Sequence, residues 1–307
     1  MTFTDSNITN DTLITRNEVQ LCIKREDVLH PHISGNKYRK LKYNINFAKT
    51  ENYTKLLTFG GAFSNHIAAT AAAGKEVGLQ TIGVIRGEEL AQHEATSFER
   101  NPTLQFAQQC GMQFQFVSRS DYRKKEEPDY IKTLQTQHQN PYIIPEGGTN
   151  KLAIKGCQEI LKDEDNHFDI ICCAAGTGGT AAGIINSLAT HQKLLTFSAL
   201  KGDFLKNAIQ QWVTTTSNWE LITDYHFGGY AKYNTALIAF INTFVKTYKI
   251  PLDPIYTGKM MYGIFDLIDQ GYFPPKTRIL AIHTGGIQGI AGINQKLQQK
   301  GLKIIDY

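Results

Sequence analysis

At 307 residues, with 41% hydrophobic and 20% charged side chains, the chain is long enough to bury the cores of about two domains and too apolar to stay disordered. Its net charge of +4 comes from 32 basic and 28 acidic residues mixed along the sequence, with no basic run or tail to favour nucleic acid. Five cysteines, an odd number without C-x-x-C spacing and with Cys172 and Cys173 adjacent in an apolar run, argue against a disulfide framework and against a zinc site, and point to a reducing compartment.

Met1 to Asn10 is polar and lacks a basic segment followed by an apolar one. No stretch approaches the roughly 18 apolar residues of a membrane span, so a cytoplasmic protein with no membrane partner is expected. The sequons at Asn7, Asn10 and Asn52 then read as chance matches. Val19 to Val28 predicts a short strand and connection leading through His30-Pro31 to a helix that begins near Asn36. In such a helix Lys37 shares a face with Leu41 and Asn44, beside Ile45 and Ala48, while Arg39, Lys40 and Lys42 point elsewhere. One amine is thereby turned inward, where desolvation depresses its pKa and frees it as a nucleophile; the plainer alternative is a lysine snorkelling over an apolar seam.

From Lys55 a strand runs into Gly60-Gly61-Ala62-Phe63-Ser64-Asn65-His66 and an alanine-rich helix through Ala73. A strand from Gln80 to Arg86, a helix around Leu104 to Cys110 and a strand from Met112 to Val117 continue the βαβ rhythm. Asp121 to Asn140 is polar and charged and reads as a surface helix or excursion of this first unit. Tyr142-Ile143-Ile144-Pro145-Glu146-Gly147-Gly148 marks a composition shift and a crossing between domains, and a helix with Ile154, Cys157, Ile160 and Leu161 on one face follows. Phe168 to Ala175 is apolar enough for the middle of a parallel sheet, and after Gly176-Thr177-Gly178-Gly179-Thr180 comes a small-residue helix from Ala181 to Ala189. A strand from Leu194 to Leu200, a helix from Ala236 to Tyr248, and a strand from Arg278 to Thr284 before Gly285-Gly286 and a last helix complete the chain.

Three strands therefore end in a glycine turn and a helix, and in open parallel sheets such turns share one ligand cleft. The Gly176 turn opens a helix with its N–H groups and two hydroxyls, which suits a phosphate; it is equally a tight turn that needs glycine. It also satisfies G-x-G-x-x-A, the generic reading of which is a nicotinamide-binding oxidoreductase, but no acid ends the following strand. Ser64 and Asn65 read as a helix cap or as donors to a substrate carboxylate.

Taken together, Lys24-Arg25-Glu26-Asp27, Gly35-Asn36-Lys37-Tyr38-Arg39-Lys40-Leu41, Ser64-Asn65-His66, Pro145-Glu146-Gly147-Gly148, the Gly176 turn, Leu252 to Lys259 and His283-Thr284-Gly285-Gly286 are ordered motifs spanning nearly the whole chain. In these the chain resembles the pyridoxal-phosphate enzymes of the tryptophan-synthase β fold that include 1-aminocyclopropane-1-carboxylate (ACC) deaminase and D-cysteine desulfhydrase. The resemblance implies an α/β protein of two open, twisted, mostly parallel sheets flanked by helices, with the cofactor cleft between a larger domain of residues 1–42 and 146–307 and a smaller one of 43–145. It implies a homodimer acting on a small amino acid, with no metal.

By the same resemblance Lys37 carries pyridoxal 5'-phosphate and serves as base, and Gly176, Thr177, Gly178, Gly179 and Thr180 hold its phosphate. Asn65 meets the ring hydroxyl, Ser64, Asn65 and His66 hold the substrate, and Tyr230 and Tyr256 are active-site tyrosines. Thr257 and Thr284 stand at cofactor-binding positions where the deaminases carry glutamate and leucine, and His66 where they carry glutamine. The expected activity is accordingly desulfhydrase-like α,β-elimination from a small D-amino acid to sulfide, ammonia and pyruvate. ACC deamination to 2-oxobutyrate and a non-catalytic cofactor binder are the alternatives. The segment Tyr225-His226-Phe227-Gly228-Gly229-Tyr230 departs from the alanine-proline-glycine turn of the desulfhydrases.

Overall fold

The computed structural model describes residues 8–93, 101–214 and 218–307; the Asn7 sequon and the polar stretch before residue 8 lie outside them. In chain order β1 (Asn10–Arg16) and β2 (Val19–Lys24) precede α1 (Asn36–Thr50), β3 (Lys55–Gly61), α2 (Asn65–Val77) and β4 (Gln80–Arg86). Then come α3 (Pro102–Gln109), β5 (Gln113–Val117), α4 (Arg119–Arg123), α5 (Pro128–Gln137), β6 (Tyr142–Ile144) and α6 (Lys151–Cys157). The remainder is β7 (Ile170–Ala175), α7 (Gly179–Ile185), β8 (Lys193–Ser198), α8 (Phe204–Gln210), β9 (Trp219–Ile222), α9 (Thr235–Tyr248), α10 (Thr257–Asp269), β10 (Arg278–Ile282) and α11 (Gly289–Gln299). Among the described residues no helix is long and apolar enough to cross a membrane.

Two sheets result. A six-stranded one has the order β1-β2-β10-β7-β8-β9 and a four-stranded one the order β5-β4-β3-β6. Every pairing is parallel except β1 with β2. Parallel strands are covered by helices on both faces, which is why β7 reads as an unbroken apolar run, Ile170-Ile171-Cys172-Cys173-Ala174-Ala175, almost all of it buried. The β1–β2 hairpin escaped the sequence expectation because β1 is mostly half-buried and carries polar residues; Asn17 and Glu18, both at positive φ, form its turn. Strands β6 and β9 and helices α8 and α10 also went unforeseen, being short or hidden in segments read as turns.

Helix α1 corrects one expectation. Arg39 and Lys40, expected away from the interior, are both buried. A single apolar stripe, Tyr38, Leu41, Ile45 and Ala48, packs against α2 as its spacing predicts. The opposite flank of α1 is covered too, by α6, where a Cβ on Gly156 would stand 2.0 Å from the Arg39 carbonyl oxygen. The helices touch backbone to backbone there. Arg39 is accommodated by buried Glu26, which accepts from Nε and Nη2 at 2.9 Å each, and removing one member of such a pair costs about 3–5 kcal/mol.

Candidate active site

The turns after β3, β7 and β10 do converge. They open on one cavity of about 500 Å³, whose wall includes Ser64 and Asn65, Gly176 to Gly178, and Thr284 to Gly286. Lys37 faces it because the start of α1 is pinned to the end of β10. Gly35, at φ +60°, lies so close to β10 that a Cβ would stand 2.0 Å from the Thr284 carbonyl oxygen, which accepts the Asn36 N–H at 3.2 Å.

Among the described residues the Lys37 ammonium has a single weak acceptor, the Gly147 carbonyl at 3.5 Å. Burial, with the neighbouring Lys40 charge adding to it, brings its pKa down to about 7. Such an amine is substantially neutral at physiological pH and nucleophilic. Lys40, which sequence reasoning set aside, lines the same cavity; its Nζ donates to the Gly147 carbonyl at 2.9 Å and to the Thr149 and Thr177 hydroxyls at 3.1 and 3.4 Å. Desolvation lowers its pKa as well. The one available signal was its position three residues beyond Lys37, on an adjacent part of the same helical surface.

Ser64 is the N-cap of α2, its Oγ accepting the Ile67 N–H at 3.4 Å, and it also lines the cavity. Asn65 donates from Nδ2 to the Gly286 carbonyl at 3.4 Å, tying two of the turns together. Its buried Oδ1 has no partner among the described residues. His66 is 2% exposed; Thr58 gives its hydroxyl proton to the Ile144 carbonyl and so accepts from His66 Nε2–H at 2.8 Å. Burial and the nearby lysines hold the ring well below its usual pKa, and it is neutral.

In the Gly176 turn, Thr177 and Thr180 line the cavity and Gly179 lies behind it, as the first residue of α7. Thr180 Oγ1 accepts from Asn36 Nδ2 at 2.8 Å, and the Thr177 and Thr149 hydroxyls bond at 2.8 Å. Tyr256 sits against this turn, so close that a Cβ on Gly176 would meet its hydroxyl at 3.0 Å. Tyr230, about half exposed, crosses Tyr256 edge-on with ring centroids 6.3 Å apart; burial raises the pKa of the Tyr256 phenol well above its usual value, and partial desolvation raises that of Tyr230.

Thr284 is on the cavity wall and Thr257 is not. Fully buried, Thr257 donates its hydroxyl to Asp253 Oδ1 at 2.7 Å, and that oxygen also accepts the Thr257 N–H at 2.9 Å. Asp253 Oδ2 accepts from the N–H groups of Ile255 and Tyr256 at 2.8 and 2.9 Å. Thr257 and Asp253 therefore build the first turn of α10, the turn that presents Tyr256.

Comparison with known proteins places this arrangement. Residues 9–285 match the model of the pyridoxal-phosphate dependent enzyme family. The chain belongs to this family, within its ACC deaminase and D-cysteine desulfhydrase branch. A putative ACC deaminase of Pyrococcus horikoshii is 30% identical, covering 90% of this chain and 87% of its own. The D-cysteine desulfhydrase of Klebsiella pneumoniae is 29% identical, covering 87% of each. Among solved structures, that of an ACC deaminase homologue superposes with a TM-score of 0.81 at 29% identity, covering 96% of this chain and 94% of the other. The fold is thus the tryptophan-synthase β type.

The residues present fit pyridoxal phosphate. A substantially neutral lysine amine, an orphaned acceptor at Asn65 Oδ1 and the glycine-lined Gly176 turn face one cavity large enough for the cofactor and a small substrate.

Proposed function

We propose that this enzyme catalyses α,β-elimination on a small β-substituted D-amino acid, in the manner of D-cysteine desulfhydrase. With D-cysteine, one water is consumed and sulfide, ammonia and pyruvate are released. When bound, pyridoxal phosphate supplies the electron sink for the pair left on Cα when its proton is removed. Lys37 would hold the cofactor, and the Gly176–Thr180 turn its phosphate, with the Lys40 ammonium as counter-charge. Asn65, whose Oδ1 is left without a partner among the described residues, would meet the ring hydroxyl, and Ser64 with its neighbouring N–H groups would orient the substrate carboxylate. The Lys37 amine would take up the α proton, and the thiolate would leave Cβ with its bonding pair.

The observation that carries this reading is the pair of threonines. At position 257, where deaminases of this resemblance carry a glutamate, the hydroxyl is given to Asp253 and that position offers the cavity no carboxylate; Glu146, on another wall, is the carboxylate that lines it among the described residues. At 284 a hydroxyl lines the wall where the deaminases carry leucine. Without a carboxylate at position 257 to keep the cofactor ring protonated the sink would be weaker, which would still suffice to expel a good leaving group such as sulfide. Relatives named for each activity match equally well, so the choice rests on these positions.

We further assign residues 1–42 and 146–307 to a larger domain and 43–145 to a smaller one. In support, the six-stranded sheet draws only on the first set and the four-stranded sheet only on the second. Incubating the holoenzyme with D-cysteine, L-cysteine, D-serine and ACC tests the activity. Sulfide and pyruvate from D-cysteine are expected, and release of 2-oxobutyrate from ACC as the dominant turnover would reverse the assignment.

A further inference from the structure

Lys259, like Lys40, is a buried lysine. It is 2% exposed, and no carboxylate forms a salt bridge with it among the described residues. Its Nζ donates instead to the carbonyls of His226 and Gly229, at 2.8 Å each, with the Ala199 carbonyl at 3.5 Å. Burial lowers the amine to about 8 while Asp253 works in the opposite direction. A desolvated cation is expensive, and here the expense is met by backbone dipoles from two separate segments.

The segment so held is conformationally costly. Phe227, Gly228, Gly229 and Ala231 all have positive φ, at 52°, 94°, 108° and 54°, and two of them are residues for which that region is unfavourable. Within it the Gly228 N–H donates to His226 Nδ1 at 2.8 Å, and the Gly229 N–H to the His226 carbonyl at 3.0 Å. Those contacts fold the segment on itself; its start is anchored on α10 by Tyr225, which donates to Asp266 at 2.6 Å, and by Phe227, edge-on to Tyr262 at 5.0 Å, which leaves the Gly229 end to be fixed. The contact that ties its carbonyls to α10 is Lys259, and the residue that immediately follows them is Tyr230, on the cavity wall.

Both tyrosines therefore depend on one helical turn. Tyr256 is the N-cap of α10, and Lys259 follows three residues later. We propose that Lys259 is a positioning residue: by drawing in the His226 and Gly229 carbonyls it sets Tyr230 against Tyr256 across the cavity. Its kinetic consequence rests on the elimination reading above together with the active-site role that the family resemblance implies for Tyr230, which lines the cavity; its structural consequence does not.

The test uses the holoenzyme and three variants, Lys259→Met, Tyr230→Phe and the double variant. Hydrogen exchange followed by mass spectrometry should show the amides of residues 228–232 exchanging about tenfold faster or more in Lys259→Met, with peptides of β3 and β7 unchanged. For D-cysteine elimination, kcat should fall in each single variant with KM changed less, and the double variant should be no slower than the slower single one. Unchanged exchange in 228–232, exchange accelerated throughout the protein, or losses in kcat that multiply would each overturn the proposal. If Lys259→Met does not fold, Lys259→Arg takes its place, since the longer guanidinium keeps the charge but displaces the carbonyls, and the same non-additivity is expected. The exchange measurement needs no turnover. A wild-type enzyme that releases no sulfide would therefore defeat the elimination reading while leaving the hold on the loop to be decided separately.

Discussion

Lys24 and Lys37 lie thirteen positions apart and meet opposite fates. Lys24, at the end of β2, is fully buried and gives its ammonium to buried Asp165 at 2.7 Å. Asp165 is further engaged by Asn10 Nδ2 at 2.7 Å and the Lys162 N–H at 2.9 Å. Lys37 faces the cavity with one carbonyl at 3.5 Å and no counter-ion among the described residues. A lysine whose charge is matched behaves as a structural brace, and one whose charge is left unmatched is pushed toward the neutral amine that chemistry requires. Removing the first should therefore damage stability, and removing the second should damage reactivity.

The largest expected effect is at Lys37. Lys37→Ala should lower turnover on the order of 10³-fold or more while the thermal midpoint changes little; a variant that unfolds but keeps its specific activity would erase the contrast. At Lys24 the order reverses. Asp165→Ala strands a buried ammonium and should cost about 3–5 kcal/mol in urea denaturation, with the kcat of the folded fraction near wild type.

A pH series sharpens the same contrast. The lowered pKa of Lys37 means that the neutral amine dominates above about pH 7, so the rate at which cofactor-free protein captures pyridoxal phosphate should level off there. Below that point the protonated amine prevails, and the rate should fall about tenfold per unit. A capture rate still climbing toward pH 10 would mean that Lys37 is an ordinary solvated lysine. Smallest is Thr257→Val, which removes the proton given to Asp253 and should cost about 1–3 kcal/mol of stability. A selective loss of turnover without destabilisation would instead return Thr257 to the cofactor site.

The glycine turns and the strand–helix alternation were legible because they are local: positive φ, apolar runs and caps each act within a few residues. The face of α1 that Lys37 shares with Leu41 and Asn44 suits a snorkelling lysine as well, and its expected role comes from the resemblance that the other motifs carry. The burial of Lys40 and Arg39 was not legible, since it comes from α6, more than a hundred positions away, covering a second flank that helical periodicity does not announce. Thr257 shows a related limit. A motif names the residue at a position, but the direction of its hydroxyl is set by Asp253, and that was invisible without coordinates. Lys259 is the extreme case, because the groups that hold it are backbone carbonyls of residues 199, 226 and 229, which carry no side-chain signal at all.

The most direct measurement is borohydride reduction of the purified holoenzyme followed by peptide mass mapping. One phosphopyridoxyl group is expected, on Lys37, and should be lost when Lys37 is replaced by alanine. An unmodified Lys37, or a label on Lys40 or another lysine, would contradict that assignment.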